Sequence, residues 1–189
     1  MESIRIAELL EKRFPDSILG IYEHRGQVST AVDCGPIVEI CHFLKTDLAM
    51  THLNFLCGVD NLTRKGKHLE RFEVIYQLYS IDNRSSLRLK AQIPASDQPA
   101  IDSITSLWTG ANWLEREAYD LVGIVFTNHP NLKRILTPED WQGHPLRKEY
   151  PLKGAAEWKG FTELKEKSAQ LRQFDFHGAP MKQETASDD

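Results

Sequence analysis

The sequence predicts an α+β fold, a mostly antiparallel sheet with helices packed on one face, followed by an extended, proline-containing C-terminal arm. Runs of alternating apolar and polar residues, typical of strands with one buried face, are separated by short polar linkers. Apolar residues at helical spacing precede and follow these runs. A later segment without clear periodicity holds four of the nine prolines: Pro130, Pro138, Pro145 and Pro151.

The first fifty residues predict two helices and a hairpin. A helix over residues 2–14 carries one apolar stripe. Two apolar runs, 18–22 and 27–32, flank Gly26 and predict a β-hairpin. Pro36 suits the first turn of a second helix, because its missing amide is not needed there. The buried face of that helix is predicted to consist of Ile37, Ile40, Cys41, Leu44 and Leu48.

Three alternating runs follow, and each carries its apolar residues on one face. The linkers between them, residues 60–67 and 82–84, are polar and short, so we expect the three strands to be antiparallel neighbours. The faces predicted to be buried are Leu53, Phe55, Cys57 and Val59 in the first run, Phe72, Val74, Tyr76 and Leu78 in the second, and Leu87, Leu89, Ala91 and Ile93 in the third.

Two further helices are predicted before the regular pattern stops. Asn112 is expected to cap the fourth helix, with Glu115 three residues later as its capping-box partner. The third helix lies just before it. Its apolar positions are Ile101, Ile104 and Trp108, and it is predicted to end at Gly110.

The pattern stops after Gly123, which is well placed to end the fourth helix. The following segment is too apolar for plain disorder and too rich in proline for helices or central strands. We therefore predict an α+β domain over residues 1–122, an extended partner-binding arm over 123–160, and a short helix with a polar tail over 161–189. We expect the arm to be mobile in the isolated chain and to become ordered against a partner.

Composition argues against several functional classes. The net charge is −4, with 23 basic and 27 acidic side chains, which does not favour nucleic-acid binding. The three cysteines, Cys34, Cys41 and Cys57, form no CxxC pair, so a disulfide framework, a zinc ribbon and a cysteine-ligated cluster are not expected. The sequence has no glycine-rich phosphate loop and no apolar run near the roughly 20 residues of a membrane helix. We therefore expect any membrane attachment to come through partners.

The most informative stretch contains two His-Pro blocks. Its positions, which we assign to an interface and structural signature, are Glu115, Arg116, Glu117, Asp120, Gly123, His129, Pro130, Arg134, Gly143, His144, Pro145, Arg147, Lys148, Tyr150 and Pro151. This pattern resembles the signature of the 30-kDa subunit of proton-pumping NADH:quinone oxidoreductase, which is respiratory complex I. Three positions depart mildly from that family: Val122, Asn128 and Glu149 stand where an aromatic residue, glycine and aspartate are usual.

The resemblance implies a structural subunit in the peripheral arm of that complex. It implies no catalytic, cofactor-binding or metal-ligating residue in this chain, because flavin, iron–sulfur clusters and quinone are held by partner subunits. The implied partners are the 49-kDa-type subunit and the cluster-bearing subunits of the quinone module. The complex as a whole transfers electrons from NADH to quinone and translocates protons. The implied location is peripheral, on the cytoplasmic side of the bacterial inner membrane.

Two alternatives remain open. One is the equivalent subunit of a membrane-bound nickel–iron hydrogenase or a related quinone-module complex. The other is a free-standing metal-binding hydrolase built on Glu115, Glu117, Asp120, His129 and His144, since carboxylates and imidazoles bind several divalent metals. Against the hydrolase, the first two of these carboxylates do not face each other on a helix. The carboxylates are instead expected to pair with Arg116, Arg134 or Arg147 and to fix the path of the arm.

Overall fold

The computed structural model describes residues 2–152 and 160–171. The chain up to Leu152 forms one compact unit, and the last helix belongs to a second unit. Residues 172–189, which include the predicted polar tail, and residues 153–159, near the end of the predicted arm, lie outside the described residues. The elements are α1 (Ser3–Arg13), β1 (Ile18–His24), β2 (Gln27–Asp33), α2 (Ile37–Thr46), β3 (His52–Asp60), β4 (Phe72–Ser80), β5 (Ser85–Ile93), β6 (Ala100–Asp102), α3 (Ala111–Val122), β7 (Val125–Thr127) and α4 (Gly160–Leu171).

Five strands form one sheet in the order β1-β2-β5-β4-β3. The pairs β1/β2, β4/β5 and β3/β4 are antiparallel, whereas β2 and β5 are parallel neighbours in the middle. The β1–β2 turn consists of Arg25 and Gly26, both with positive φ, a combination that suits the twist of a two-residue hairpin. The predicted α+β class with a mostly antiparallel sheet is confirmed, and the single parallel pair makes the sheet mixed.

The core lies on one face of this sheet. Phe72, Val74, Tyr76 and Leu78 of β4 are all fully buried, as their alternation predicts. Full burial stabilises each large apolar side chain by roughly 1.5–3 kcal/mol relative to exposure. The helices contribute to the same cluster through Ile6, Ala7 and Leu10 of α1, Ile37, Ile40, Cys41 and Leu44 of α2, and Ala111, Ala118 and Val122 of α3. No helix among the described residues is both long and apolar enough to cross a membrane.

The predicted buried face of β3 is wrong. Leu56 and Asp60 are 3% exposed, whereas Phe55 on the opposite face is 36% exposed. The register against β4 shifts between Leu53 and Phe55, so the alternation does not run evenly through the strand. The face directed at the helices includes Gly58, where α3 packs closely on the strand.

The predicted third helix is also wrong. Residues 100–102 form strand β6, which pairs in parallel with β7, and Ile101 lies opposite Phe126. The chain then makes a single turn, in which the amide of Trp108 donates to the carbonyl of Ile104 at 3.0 Å. The apolar residues with helical spacing therefore lie in two different elements: Ile101 is in strand β6, and Ile104 and Trp108 are in the turn. The strand is stabilised by a partner far along the chain, which local periodicity does not show.

The predicted capping box is likewise not formed. Helix α3 begins at Ala111, its N-cap position is Gly110, and no side chain caps it. Glu115 is directed away from the helix start, toward the segment before it. The predicted end is confirmed, since Gly123 has φ +81° and its amide donates to the carbonyl of Tyr119 at 2.9 Å.

Replacing Gly58 with alanine is expected to lower the free energy of unfolding by about 1–3 kcal/mol. The new Cβ would lie 3.0 Å from Cδ1 of Ile124 and 3.2 Å from Cβ of Ala118, so α3 would have to move away from β3. Urea denaturation of the purified chain measures this change. The control is Gly110→Ala, whose Cβ meets no heavy atom within 4 Å. Equal unfolding midpoints for the two variants would contradict the close packing of α3 on β3.

Candidate functional site

Most of the signature residues converge on helix α3. Glu115 and Asp120 lie on its buried side, and both are fully buried. The chain leaves the helix at Gly123, forms β7, and then returns along the helix through two His-Pro segments. The signature residues whose side chains make hydrogen bonds within this region are Glu115, Arg116, Asp120, His129, Arg134, His144 and Arg147.

The carboxylate of Asp120 is the acceptor for a turn of the returning chain. Its Oδ2 accepts hydrogen bonds from the amides of Ile135 (3.0 Å), Leu136 (2.7 Å) and Thr137 (2.9 Å). Its Oδ1 accepts from Nη1 of Arg134 at 2.8 Å and from the Thr137 hydroxyl. Burial alone would raise the pKa of this carboxyl, but the hydrogen bonds from Thr137, Leu136 and Arg134 outweigh it. They hold the pKa of Asp120 well below its usual range.

Arg134 connects the carboxylate of Asp120 to the backbone of residues 141–143. Its Nη2 donates to the carbonyls of Trp141 and Gly143, both at 3.0 Å, while Nη1 pairs with Asp120. The planar guanidinium has several donors in a fixed geometry, which suits a bridge between a carboxylate and two backbone oxygens. Within the described residues, Arg134 is the one of the three candidate arginines that forms an ion pair with a signature carboxylate.

The second His-Pro block closes the C-terminal end of α3. The last carbonyls of a helix have no partner inside it and need donors from elsewhere. Here the arm supplies those donors, and the positive charge of Arg147 is also favourable at the negative end of the helix dipole. The donors are His144 Nδ1 to Asp120 O at 2.9 Å, Leu146 N to Leu121 O at 2.8 Å, Arg147 Nε to Val122 O at 2.8 Å and Arg147 Nη2 to Gly123 O at 3.4 Å.

This arrangement requires glycine at position 123. A Cβ there would lie 2.5 Å from the ring of His144 and 2.7 Å from Nη2 of Arg147, and the φ of +81° disfavours other residues. Asn128, one of the departures from the family pattern, also has positive φ, at 63°. Asparagine tolerates the left-handed region better than most residues, so it can stand where the family has glycine.

The second buried carboxylate, Glu115, connects α3 to the segment before it. Its Oε2 accepts from the hydroxyl of Ser103 at 2.7 Å, and its Oε1 accepts from the amide of Ile104 at 2.8 Å. Burial raises the pKa of Glu115 to about 7, against the lowering effect of these two hydrogen bonds. Glu115 therefore exchanges a proton in the neutral range.

His129 lies next to Glu115, and both side chains are fully buried with 4.0 Å between Nε2 and Oε2. The imidazole Nδ1 accepts a hydrogen bond from the amide of Asn131 at 3.0 Å, so Nδ1 carries no proton. Nε2 lies 3.2 Å from the carbonyl of Asn112, which can only accept, so Nε2 is the protonated nitrogen. The ring therefore connects α3 to the start of the arm.

A further carboxylate, Asp60 at the end of β3, holds the arm at Lys148. Its Oδ2 accepts from the amide of Lys148 at 2.9 Å, and its Oδ1 accepts from the amide of Leu62 at 3.0 Å. Arg71 lies 3.6 Å from Asp60 and also pairs with Glu149. Sequence reasoning did not select Asp60 or Ser103. A carboxylate at a strand end is a weak signal, because ordinary linkers contain the same residue.

The remaining signature residues have other surroundings. Arg116 donates to the carbonyls of Lys133 and Arg134 and lies 5.1 Å from the ring of Trp113. Glu117 is exposed. No group of three His, Cys, Asp or Glu suited to a metal ion occurs in residues 2–152 and 160–171. Lys148 contributes its backbone amide, Tyr150 lies over Gly143, and Pro130, Pro145 and Pro151 lie in irregular backbone.

Residues 124–152 pack on the α+β unit in this structure, which contains the chain alone. Ile124 and Phe126 are buried, and the compact unit extends to Leu152, past the boundary predicted at residue 122. Asp120 accepts three backbone amides of this segment, and Arg134 donates to two of its backbone carbonyls. The expected mobility of the arm in the isolated chain stays a prediction. Whether the segment also binds a partner remains a prediction.

Comparisons with known proteins agree on one family. The family described as the 30-kDa subunit of respiratory-chain NADH dehydrogenase matches residues 30–156. A relative from Geobacter metallireducens, named as an NADH-quinone oxidoreductase subunit, is 49% identical over 153 residues, which are 81% of this chain and 92% of that protein. The protein of the same name from Roseiflexus sp. is 47% identical over 159 residues, covering 83% of this chain and 88% of that protein.

Two solved structures are similar. A trypsin-resistant fragment of Nqo5 superposes with a TM-score of 0.53 and 28% identity, covering 68% of this chain and 98% of the fragment. A chain of an archaeal membrane-bound sulfane sulfur reductase superposes with a TM-score of 0.61, covering 97% of this chain and 98% of that one. The second match is only 16% identical and therefore shows a shared fold alone.

Replacing Asp120 with asparagine is expected to lower the free energy of unfolding by roughly 3–5 kcal/mol, because it leaves Arg134 without its counter-charge. Asparagine also has only one acceptor oxygen, so it cannot accept from both Arg134 and the three backbone amides that share Oδ2. Denaturant unfolding measures the loss, and hydrogen exchange should show faster exchange at residues 135–137. Asp16→Asn, at an exposed carboxylate, is the matched control. Equal stability of the two variants would show that Asp120 does not fix the arm.

Glu115→Gln is expected to flatten the dependence of stability on pH. Because the pKa of Glu115 is raised from 4.5 to about 7 in the fold, its contribution is fully present below pH 4.5 and is lost as the pH rises through 7. The loss is on the order of 3 kcal/mol. An uncharged glutamine side chain can accept from the amide of Ile104 and donate to the hydroxyl of Ser103. The variant should therefore not lose stability as the pH rises.

The measurement is the free energy of unfolding at pH 5 to 8 for the wild type and the variant. His144 acts in the opposite sense, since burial lowers its pKa and its contribution is lost as the pH falls. The difference between the two proteins therefore isolates Glu115. A difference that stays constant from pH 5 to 8 would mean that Glu115 does not titrate in this range.

Proposed function

The chain belongs to the family of the 30-kDa subunit of respiratory-chain NADH dehydrogenase, and we propose that its part in an NADH-quinone oxidoreductase is structural. In this role the chain holds neighbouring subunits in place while the complex transfers electrons from NADH to quinone and translocates protons. The chain itself supplies neither a cofactor site nor a catalytic residue.

One observation carries this proposal: the signature side chains are used in folding the chain. Asp120 and Arg134 bind the backbone of the arm, and His144 and Arg147 close the end of α3. These side chains already use donors and acceptors within the chain, and their contacts give the arm one defined path. A subunit that positions its neighbours needs such a rigid surface, because pre-ordered contacts lower the entropic cost of assembly.

We place its partners among the other subunits of the same complex, in particular the 49-kDa-type subunit and the cluster-bearing subunits of the quinone module. Flavin, iron–sulfur clusters and quinone belong to those partners in this proposal. Large apolar side chains that remain exposed on the arm support a protein partner, since packing stabilises them only when they are covered. These are Leu136 at 63%, Leu146 at 55% and Leu152 at 104% exposure.

Helix α4 supports the same conclusion within its own unit. None of its residues is buried, and its apolar residues Phe161, Leu164 and Leu171 are 45–72% exposed. They recur at a spacing of three and seven residues, so they share one side of the helix. An isolated helix of 12 residues is marginal in water, so a covering surface is needed to hold it.

We propose a peripheral location on the cytoplasmic side of the bacterial inner membrane, with the membrane reached through partner subunits. The support is the naming of the bacterial relatives. The alternative of an equivalent subunit in a membrane-bound hydrogenase or related quinone-module complex has weaker support. The relatives at 47–49% identity both carry the name of an NADH-quinone oxidoreductase subunit, whereas the other respiratory complex shows a shared fold alone.

The test is to tag the full chain in its host, isolate it from detergent-solubilised membranes and identify the accompanying subunits. The proposal predicts the subunits of an NADH-quinone oxidoreductase. Isolation of the chain without any of them would contradict the proposal, and so would their replacement by hydrogenase subunits.

The variant Arg134→Ala is expected to reduce the amount of assembled complex several-fold while leaving quinone reduction per assembled complex unchanged. The reason is that Arg134 joins Asp120 to the backbone of the arm, and removing one member of a buried pair costs roughly 3–5 kcal/mol. Arg5→Ala is the matched control, because Arg5 forms an exposed ion pair on α1. A fully assembled Arg134→Ala complex that has lost its turnover would assign Arg134 to the mechanism instead.

A further inference from the structure

A small groove lies between β3 and α3 and is open to solvent. Its floor and walls include Cys57 and Gly58 of β3, Leu114 and Leu121 of α3, and Leu146 of the arm. Its volume is about 60 Å³. Since about 10–15 Å³ of accessible volume holds one water molecule, the groove has room for one small aliphatic side chain.

The walls of the groove are fixed before anything binds. The amide of Leu146 donates to the carbonyl of Leu121 at 2.8 Å, so the arm is held against α3 beside the opening. Gly58 allows α3 to approach β3 closely, because a Cβ there would contact Ala118 and Val122. A pre-ordered apolar site binds with little loss of side-chain entropy.

One carboxylate, Glu117, lies among these apolar residues. It is exposed, and no residue in the described ranges 2–152 and 160–171 gives it a hydrogen bond or an ion pair. This distinguishes it from Glu115 and Asp120, whose oxygens are occupied by donors of the same chain. A carboxylate beside an apolar groove loses water when the groove is covered, and that loss is unfavourable unless a cation replaces the water.

We propose that this groove is a docking site for a segment of a neighbouring subunit, which inserts one small aliphatic side chain and pairs a lysine or arginine with Glu117. The proposal rests on the proposed function, since it names a contact surface within the assembled complex. The opposite charge is required because Glu117, a carboxylate, lines the groove. The aliphatic side chain contributes by removing the exposed part of Leu146 from water.

Cys57 allows the groove to be tested in the intact complex. It is half-buried in the groove, whereas Cys34 is half-buried elsewhere and reports whether the chain itself has changed. The rate of modification by N-ethylmaleimide is measured for both thiols in the purified chain and in the isolated complex. We expect assembly to slow Cys57 at least ten-fold and by a larger factor than Cys34. Equal rates for Cys57 in the free chain and in the complex would overturn the proposal.

Glu117→Lys tests the charge. It is expected to lower the fraction of the chain found in the complex at least ten-fold. Glu117→Gln should lower that fraction by an intermediate factor. The control Glu11→Lys, at an exposed position of α1, should leave it unchanged. Thermal unfolding of the purified Glu117→Lys chain should match the wild type, because Glu117 has no partner in the described chain. Normal assembly of Glu117→Lys would also overturn the proposal.

Further outcomes show whether the groove proposal or the proposed function has failed. Protection of Cys57 that grows with the concentration of the purified chain would identify a second copy as the occupant and exclude the neighbouring-subunit contact. If the wild-type chain is isolated with oxidoreductase subunits but Cys57 and Glu117 behave as in the free chain, the groove proposal fails while the proposed function stands. If no such subunits accompany the chain, the proposed function fails.

Discussion

The buried carboxylate of Asp120 is the constraint on which the rest of the signature region depends. It lies near the C-terminal end of α3, where the helix dipole already places negative charge, so its position is unfavourable by itself. The last carbonyls of the same helix add further acceptors without partners. Both problems have one solution, which is a segment that brings backbone amides and positive charge to this end of the helix. The returning arm does so through residues 135–137, Arg134 and Arg147.

The same principle explains how a segment with four prolines is ordered without regular structure. Prolines remove amide donors and interrupt helices and sheets, so the segment has to satisfy its backbone through side chains. Asp120 and Asp60, both on the rigid unit, accept the amides of the arm, and Arg134 donates to its carbonyls. The acceptors stand on a helix and a strand that are fixed by the hydrophobic core. The path of the arm is therefore set by the core, although the arm itself contributes few core residues.

Sequence alone predicted the elements whose stabilising contacts are local or periodic. The hairpin and α1 were predicted, and α2, β4 and β5 were predicted with their buried faces. The end of α3 at Gly123 follows from the conformational freedom of glycine. Two of the failures share one cause, which is a partner distant in the chain. Ile101 pairs with Phe126, so a strand replaced the predicted helix. Glu115 binds Ser103, so the capping box did not form.

The site was predicted in composition but not in geometry. The resemblance to a known family selected the residues from Glu115 to Pro151. The chemistry of their carboxylates and arginines indicated that these groups pair and fix the arm. It did not show that Asp120 pairs with Arg134 while Arg147 binds helix carbonyls. Asp60 was missed because its partner, the amide of Lys148, lies 88 residues away.

Two carboxylates of the signature, Glu115 and Glu117, have different surroundings on α3. Glu115 and Glu117 are two positions apart, so they cannot share a face of α3. The first is directed into the core, where burial and two donors control its proton. The second is directed to the solvent beside the groove, where the fold does not use its charge. We therefore expect a substitution at the first to act on the stability of the chain, whereas the docking proposal expects one at the second to act on contacts with a neighbouring subunit. In that proposal one short helix serves folding through Glu115 and assembly through Glu117, because the two carboxylates lie on different faces of α3.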